Sequence, residues 1–368
     1  MCLVSKLIEL YQNCKQSPWL DNIRRSWLKD GSLSDLIGSG IRGVTSNPTI
    51  FTNAIESSDL YNDQFLTLTN KGMSVEQAYW ELVKTDINDA LEILEPVFQE
   101  SNGKDGFVSI EVSPELAYNT EATLKMAKDL HDEIDKENLL VKIPATKEGL
   151  LAIEEMIYLG KSVNVTLIFS IERYQEVIDA YLKGLERRVQ SGITDLSNVN
   201  SVASFFVSRL DTLVDKTLEN NSDKKAADLL GKTAVSQAKI AYQLFKSNFN
   251  ADRYVKLTKY NANVQRPLWA STSTKNPNYD DLLYVNSLIG PDTVNTMPDS
   301  TVEAFLSHGI PESTVESNLE EAKANLNSLD TLGIDMHQVT QELEDQGVES
   351  FKKSFLELLD VLDKKLKN

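Results

Sequence analysis

The stretch Leu139-Leu140-Val141-Lys142-Ile143-Pro144-Ala145-Thr146, "LLVKIPAT", decides the fold. A short apolar run rich in branched residues and ended by proline reads as a buried strand. A lysine stands in its middle, and burying an ammonium is costly unless something pairs with it or uses it. Strand alternation puts Val141 and Ile143 on one face, Leu140 and Lys142 on the other. The same parity recurs in "FVSIEVS", where Val108, Ile110 and Val112 oppose Ser109, Glu111 and Ser113. In "SVNVTLI", Val163, Val165 and Leu167 oppose Asn164, Thr166 and Ile168. Each run has one apolar face and, on the other, a polar or ionisable group near its C-terminal end. A barrel accounts for this: the apolar face lies under outer helices, and the polar groups point inward near the mouth.

Working outward, strand-sized runs alternate with helix-sized ones. Strands are expected over 17–21, 41–46, 106–112, 138–144, 162–168, 198–205, 266–271 and 293–297. Helical patterns cover 120–137, 147–160 and 170–190. Alternating units imply a parallel sheet, and about eight of them suit an α/β (β/α)8 TIM barrel. Periodicity leaves a doubly wound sheet open. The chain reads as one domain over 1–368, with a barrel core over 17–310 and a helical extension over 312–368. Residues 53–105 and 210–264 hold extra helices. In the tail, apolar residues at 351, 355, 358, 359, 362 and 366 form one helix face. Packing on the body is the favoured role for it; a lid over the mouth or a dimer contact is the alternative.

The 368 residues carry 37 basic and 55 acidic side chains, a formal net charge of −18. Such a charge repels phosphate backbones, so no nucleic-acid partner is expected, whereas a local basic pocket can still hold a small anion. No apolar run approaches the roughly 20 residues of a membrane span, so no membrane partner is expected either. Cys2 and Cys14 are the only cysteines, which suits a reducing compartment. The start "MCLVSKLIELYQNC" lacks the features of a signal peptide. A cytoplasmic location follows, although a start trimmed of its targeting segment reads the same.

Gly38-Ser39-Gly40-Ile41-Arg42-Gly43 has the spacing of a dinucleotide fingerprint. That motif follows a strand and opens a helix, whereas here "SLSDLI" precedes the glycines and "GVTSN" follows. They read as a helix end and a turn, not a cofactor site. His131, His308 and His337 lie far apart and near no cysteine, so no metal site is expected. Asn164-Val165-Thr166 matches a glycosylation sequon inside a buried strand.

The inward groups suit carbonyl chemistry. A desolvated lysine can lose its proton and attack a ketone to form a Schiff base. A glutamate and a threonine nearby can relay protons through a water. The bland alternative is that Lys142 snorkels at a strand end or pairs with Glu111 as a structural ion pair.

Several stretches then resemble one family. "GVTSNPTIF" (43–51) resembles the transaldolase signature. "LLVKIPATKEGLLAIEEM" resembles the segment with the family's Schiff-base lysine, and "VNVTLIFSIERYQEVIDAYLKGLE" the strand and helix after it. "ASFFVSRLDTLVDK" resembles its phosphate segment, and "QRPLWASTSTKNPNYDDLLYVNSLIGPDTVNTMP" its larger bacterial and plant branch. The resemblance spans about 17–365. It implies a circularly permuted barrel with the lysine on the fourth strand. It also implies transfer of a dihydroxyacetone unit from sedoheptulose 7-phosphate to glyceraldehyde 3-phosphate without a cofactor; the assembly is expected to be a monomer or homodimer.

Carried onto this chain, the resemblance makes Lys142 the Schiff-base amine and Asp21 the proton carrier for the departing aldehyde. Glu111 and Thr166 would act on a water. Asn47 and Asn164 would hold hydroxyls, and Ser204 and Arg209 the sugar phosphate. The bland readings are Asp21 as a cap, Asn47 as an Asx turn and Arg209 as a surface cation. Shorter relatives have a second phosphate arginine after the seventh strand. Here Ser271, Ser273 and Lys275 stand there, and Arg266 at the strand's other end is the competitor. Related fructose 6-phosphate aldolases have glutamine at the Glu111 position and tyrosine at that of Phe206. Transfer is therefore expected over plain cleavage; an aldolase and a non-catalytic sugar-phosphate-binding barrel are the alternatives.

Overall fold

Eight parallel strands close on themselves in the computed structural model, which describes residues 4–367. They are β1 (Gln16–Leu20), β2 (Gly43–Thr45), β3 (Phe107–Glu111) and β4 (Leu139–Pro144), then β5 (Val163–Ile168), β6 (Ser201–Phe206), β7 (Gln265–Ala270) and β8 (Thr293–Met297). Each strand pairs with the next, and β1 pairs with β8, Leu20 opposite Met297. Parallel pairing needs crossovers, and helices supply them: Thr120–Ile134 after β3, Lys147–Tyr158 after β4 and Ile171–Gln190 after β5. The doubly wound alternative is thereby excluded, and Lys142 lies on the fourth strand. Cys14 is buried and its thiol donates to the Pro311 carbonyl; Cys2 and the rest of Met1–Leu3 lie outside the described residues.

The glycine run behaves as the order of elements requires. Gly38 ends the helix Ser32–Gly38 and Gly43 opens β2. A Cβ on Gly43 would sit 2.6 Å from the Trp19 ring, so only glycine lets that indole fill the barrel's lower interior. There the fully buried Asp105 accepts from Ser17 Oγ (2.8 Å), Trp19 Nε1 (3.2 Å), Arg42 Nε (2.9 Å) and Arg266 Nη2 (3.0 Å). These bonds close the N-terminal end with a satisfied charge cluster.

Strand parity holds through Thr166 and then breaks. The β5–β6 register shifts between Val165 and Ile168, and Leu167 has a φ of +59°. The expected alternation of Leu167 with Ile168 is lost to this bulge, which re-aims the end of β5. The sequon residues Asn164 and Thr166 are fully buried.

The C-terminal helix Met336–Lys367 lies at the mouth, against β5 and the helices Pro48–Glu56 and Ser208–Glu219. A Cβ on Gly347 would meet Leu167 at 3.0 Å. Phe351, Phe355, Leu358 and Leu362 are buried, and Phe355 packs on Tyr79 and Trp80. Leu366, expected on the same face, is 39% exposed. Buried Arg173 Nε donates to Glu344 (3.2 Å), and Lys365 Nζ reaches Ile55 O and Asn62 Oδ1. The stripe therefore packs on the barrel as expected, but at the mouth. No described helix is long and apolar enough to cross a membrane.

Candidate active site

The C-terminal strand ends deliver the inward residues to one place. An inner cavity of about 190 Å³ is lined by Asp21, Thr45, Asn47, Lys142, Thr166, Ser204, Phe206 and Arg209, with Ser271, Ser273, Lys275, Thr296 and Phe351 around it. It adjoins an outer one of about 960 Å³ that shares Asp21, Asn47, Arg209, Lys275 and Phe351 and adds Asn22, Arg24, Asn53 and Asp299. Of the residues read from sequence, these cavities gather Lys142, Asp21, Thr166, Asn47, Ser204, Phe206, Arg209, Ser271 and Lys275.

Lys142 is 5% exposed, and its Nζ donates to the Ser46 carbonyl (3.0 Å) and lies 3.3 Å from Glu111 Oε2. Glu111 is one register step away, opposite Lys142 in the β3–β4 ladder. Burial pushes the Glu111 carboxyl up, partly offset by the Lys142 charge. Thr166 Oγ1 is buried with no hydrogen-bond partner among the described residues, whereas Glu111 Oε2 has the Lys142 ammonium beside it. An unmet buried hydroxyl is costly, so Thr166 Oγ1, which lines the inner cavity, is open to a substrate or a water.

Asp21 follows β1, and its N–H extends the ladder to Met297 O (2.8 Å). Its Oδ1 accepts from Thr45 Oγ1 (2.7 Å), which also lies 2.6 Å from Thr296 Oγ1. A hydroxyl has one proton, so Thr45 donates to Asp21 and Thr296 donates to Thr45. Burial pushes Asp21 up; Lys142, the Thr45 bond and Arg209 oppose that, while Asp299 adds to it. Asp21 is thus poised to take and return a proton.

Asn47 combines its bland and functional readings. Its Oδ1 caps the helix Pro48–Glu56 by accepting from Ile50 N (3.0 Å), while the residue lines both cavities. Asn164 sits a layer deeper, fully buried: its Nδ2 donates to Ser109 Oγ (3.0 Å) and its Oδ1 accepts from Ser204 Oγ (2.7 Å). It is absent from the cavity lining, which its partner Ser204 reaches.

Arg209, at the start of the helix Ser208–Glu219, has no hydrogen bond or ion pair among the described residues. Its Cζ is 5.3 Å from the Phe206 ring centroid and 5.8 Å from that of Phe351. Burial holds the guanidinium below its ordinary value, opposed by Asp21 and Glu111. A partly buried cation held by rings rather than by a carboxylate is a ready anion receptor. Lys275 Nζ donates to Ser273 Oγ (2.6 Å) and lines both cavities. Arg266 lies at the other end, bonded to Ser17 Oγ and Asp105, and lines neither cavity. Ser271, with a φ of +57°, pairs its hydroxyl with Ser208 (2.9 Å).

The sequence reading missed Thr45, Thr296 and Phe351. Extending the parity rule to the short "GVT" would have found Thr45. Phe351 was visible only as one member of an apolar stripe.

Comparison with known proteins follows the same line. The model of the Transaldolase/Fructose-6-phosphate aldolase family matches residues 18–362. Transaldolase 2 of Streptomyces avermitilis is 47% identical over 93% of this chain and 92% of its own length. The transaldolase of Thermobifida fusca is 47% identical over 93% of both chains. That of Mycolicibacterium smegmatis is 46% identical over 94% of this chain and 93% of its own. By its sequence, this chain belongs to the transaldolase/fructose-6-phosphate aldolase family.

Proposed function

We propose that the protein is a transaldolase that moves a dihydroxyacetone unit from sedoheptulose 7-phosphate to glyceraldehyde 3-phosphate, giving erythrose 4-phosphate and fructose 6-phosphate. The observation that carries this reading is the buried Lys142 amine, 3.3 Å from Glu111 and in one cavity with Asp21.

Lys142 Nζ attacks the ketone carbon of the donor and the oxygen leaves as water, forming an imine. Glu111 and Thr166 hold the water that shuttles protons in this step and in its reversal. Asp21 takes the proton of the hydroxyl two carbons from the imine. The bond from that hydroxyl-bearing carbon to the carbon next to the imine then breaks, its electron pair passes into the enamine, and an aldehyde departs. In the second half the enamine carbon attacks the acceptor aldehyde, and Asp21 returns the proton to the new alkoxide. Asn47 and Asn164 meet the hydroxyls of the three-carbon unit, and Ser204, bonded to Asn164, faces the phosphate. Arg209 and Lys275 hold the phosphate, the second as a point charge rather than a fork.

Phe206 favours transfer over plain cleavage. It lines the inner cavity and offers no acidic proton, so the enamine survives until an acceptor arrives. On this reading the protein needs no cofactor and serves the non-oxidative pentose phosphate pathway in the cytoplasm. The test supplies fructose 6-phosphate with and without erythrose 4-phosphate and follows glyceraldehyde 3-phosphate. Release only with acceptor is expected; equal release in both arms means an aldolase, and no release with intact binding means a binding barrel.

A further inference from the structure

The two cations assigned to the phosphate come from different segments. Arg209 opens the helix Ser208–Glu219, whereas Lys275 sits in the loop that follows β7. A lysine is a point charge on a flexible stem, so its usefulness beside an arginine depends on where its backbone is held.

The loop is tied at both ends to the helix that carries Arg209. At the near end, Ser208 N donates to Ser271 O (3.0 Å) and the two hydroxyls pair at 2.9 Å. At the far end, two carboxylates one turn apart on that helix each accept from a tyrosine. Asp215 Oδ2 accepts from Tyr279 OH (2.8 Å), and Asp211 Oδ2 accepts from Tyr284 OH (2.9 Å). The carboxylates are themselves fixed: Asp215 accepts from Gly231 N (3.1 Å) and Asp211 from Ala234 N (2.7 Å). Gly231 has a φ of +70°, and a Cβ there would meet the Tyr279 ring at 2.9 Å, so the ring lies directly on that backbone. Between the anchors the loop closes on itself through Thr274 Oγ1 to Asp280 O (2.9 Å).

We propose that Tyr279 and Tyr284 are positioning residues: through Asp215 and Asp211 they hold the Lys275 loop at a fixed spacing from Arg209, so that both cations meet one sugar phosphate. This rests on the transaldolase reading and on Arg209 and Lys275 as phosphate ligands. Neither tyrosine touches substrate; each acts through Lys275.

The test compares Tyr279→Phe and Tyr284→Phe with the parent, singly and in a Lys275→Ala background. Two readouts separate binding from chemistry: KM and kcat with fructose 6-phosphate and erythrose 4-phosphate, and borohydride trapping with dihydroxyacetone, which has no phosphate. Loss of one bond should raise the KM for fructose 6-phosphate about threefold to tenfold. The trapping rate should match the parent's. In the Lys275→Ala background, where the loop has no cation to place, neither substitution should add to the KM. A KM equal to the parent's in both variants overturns the inference, even if the melting temperature falls, because the tyrosines are then only structural. So does an equal KM rise in the Lys275→Ala background, or a trapping rate that falls in step with turnover. Either tyrosine alone carries the test if the other variant does not fold. A parent that neither turns over nor traps overturns the transaldolase reading itself; a parent that does both while the variants match it overturns this inference alone.

Discussion

Lys142 and Glu111 stand opposite each other in the β3–β4 ladder with 3.3 Å between Nζ and Oε2, each side chain 6% exposed. A pair this deep is a poor way to stabilise a barrel, since an apolar pair of equal size would serve as well. It makes sense as chemistry, with the carboxylate there to move protons around the amine. Glu111→Gln should therefore lower kcat by about 10²- to 10⁴-fold. Borohydride trapping should slow with it, because imine formation is the step affected. Trapping at the parental rate would remove Glu111 from that step.

Phe206 sits 5.1 Å from Phe169 and lines the inner cavity, so a hydroxyl added to its ring enters the substrate space. Phe206→Tyr should raise release of glyceraldehyde 3-phosphate from fructose 6-phosphate without acceptor by about tenfold or more. The check is the coupled assay with acceptor omitted; unchanged release would detach enamine lifetime from this position.

Much of this was legible in the sequence, for reasons that differ by residue. Lys142 and Glu111 could be read because a charge on the polar face of an otherwise apolar strand has few bland explanations. Thr166 followed from parity, but Leu167 did not, since a bulge breaks the alternation with no local signal. Which of Lys275 and Arg266 reaches the cavity is a matter of strand direction: Arg266 sits at the start of β7 and Lys275 beyond its end, and only the C-terminal end opens on the cavity. Asp211 and Asp215 look like a solvated helix face, and are buried because the turn at Gly231 and the loop with Tyr279 fold over them. Nothing local marks that. The tail's apolar stripe gave a packed helix, with a place over the mouth only as the alternative reading.

That place gives the C-terminal helix a share in binding. Phe351 is one of two rings beside Arg209. Phe351→Leu keeps apolar packing and removes the ring. It should raise the KM for fructose 6-phosphate about twofold to fivefold, the range of an exposed cation–π contact, and leave trapping with dihydroxyacetone unchanged. An unchanged KM would reduce Phe351 to a packing role.

Asp211 makes stability depend on pH. Burial pushes its carboxyl up to about 7 from 3.8, despite the bonds from Ala234 and Tyr284. The folded state then holds a proton that the unfolded state has released, so this group's contribution to stability falls as pH rises from about 4 to about 7. The full span is on the order of 4 kcal/mol. Asp211→Asn keeps an oxygen acceptor and removes the titration. Melting temperatures from pH 4 to pH 8 should fall less steeply for the variant than for the parent; parallel curves would contradict the assignment.

The central claim is that Lys142 carries the substrate covalently. The most direct measurement is borohydride reduction of the protein during turnover of fructose 6-phosphate, followed by peptide mass mapping. The account predicts loss of activity together with a reduced sugar adduct on Lys142 and on no other lysine. An adduct on another lysine, or full turnover with none, would contradict it.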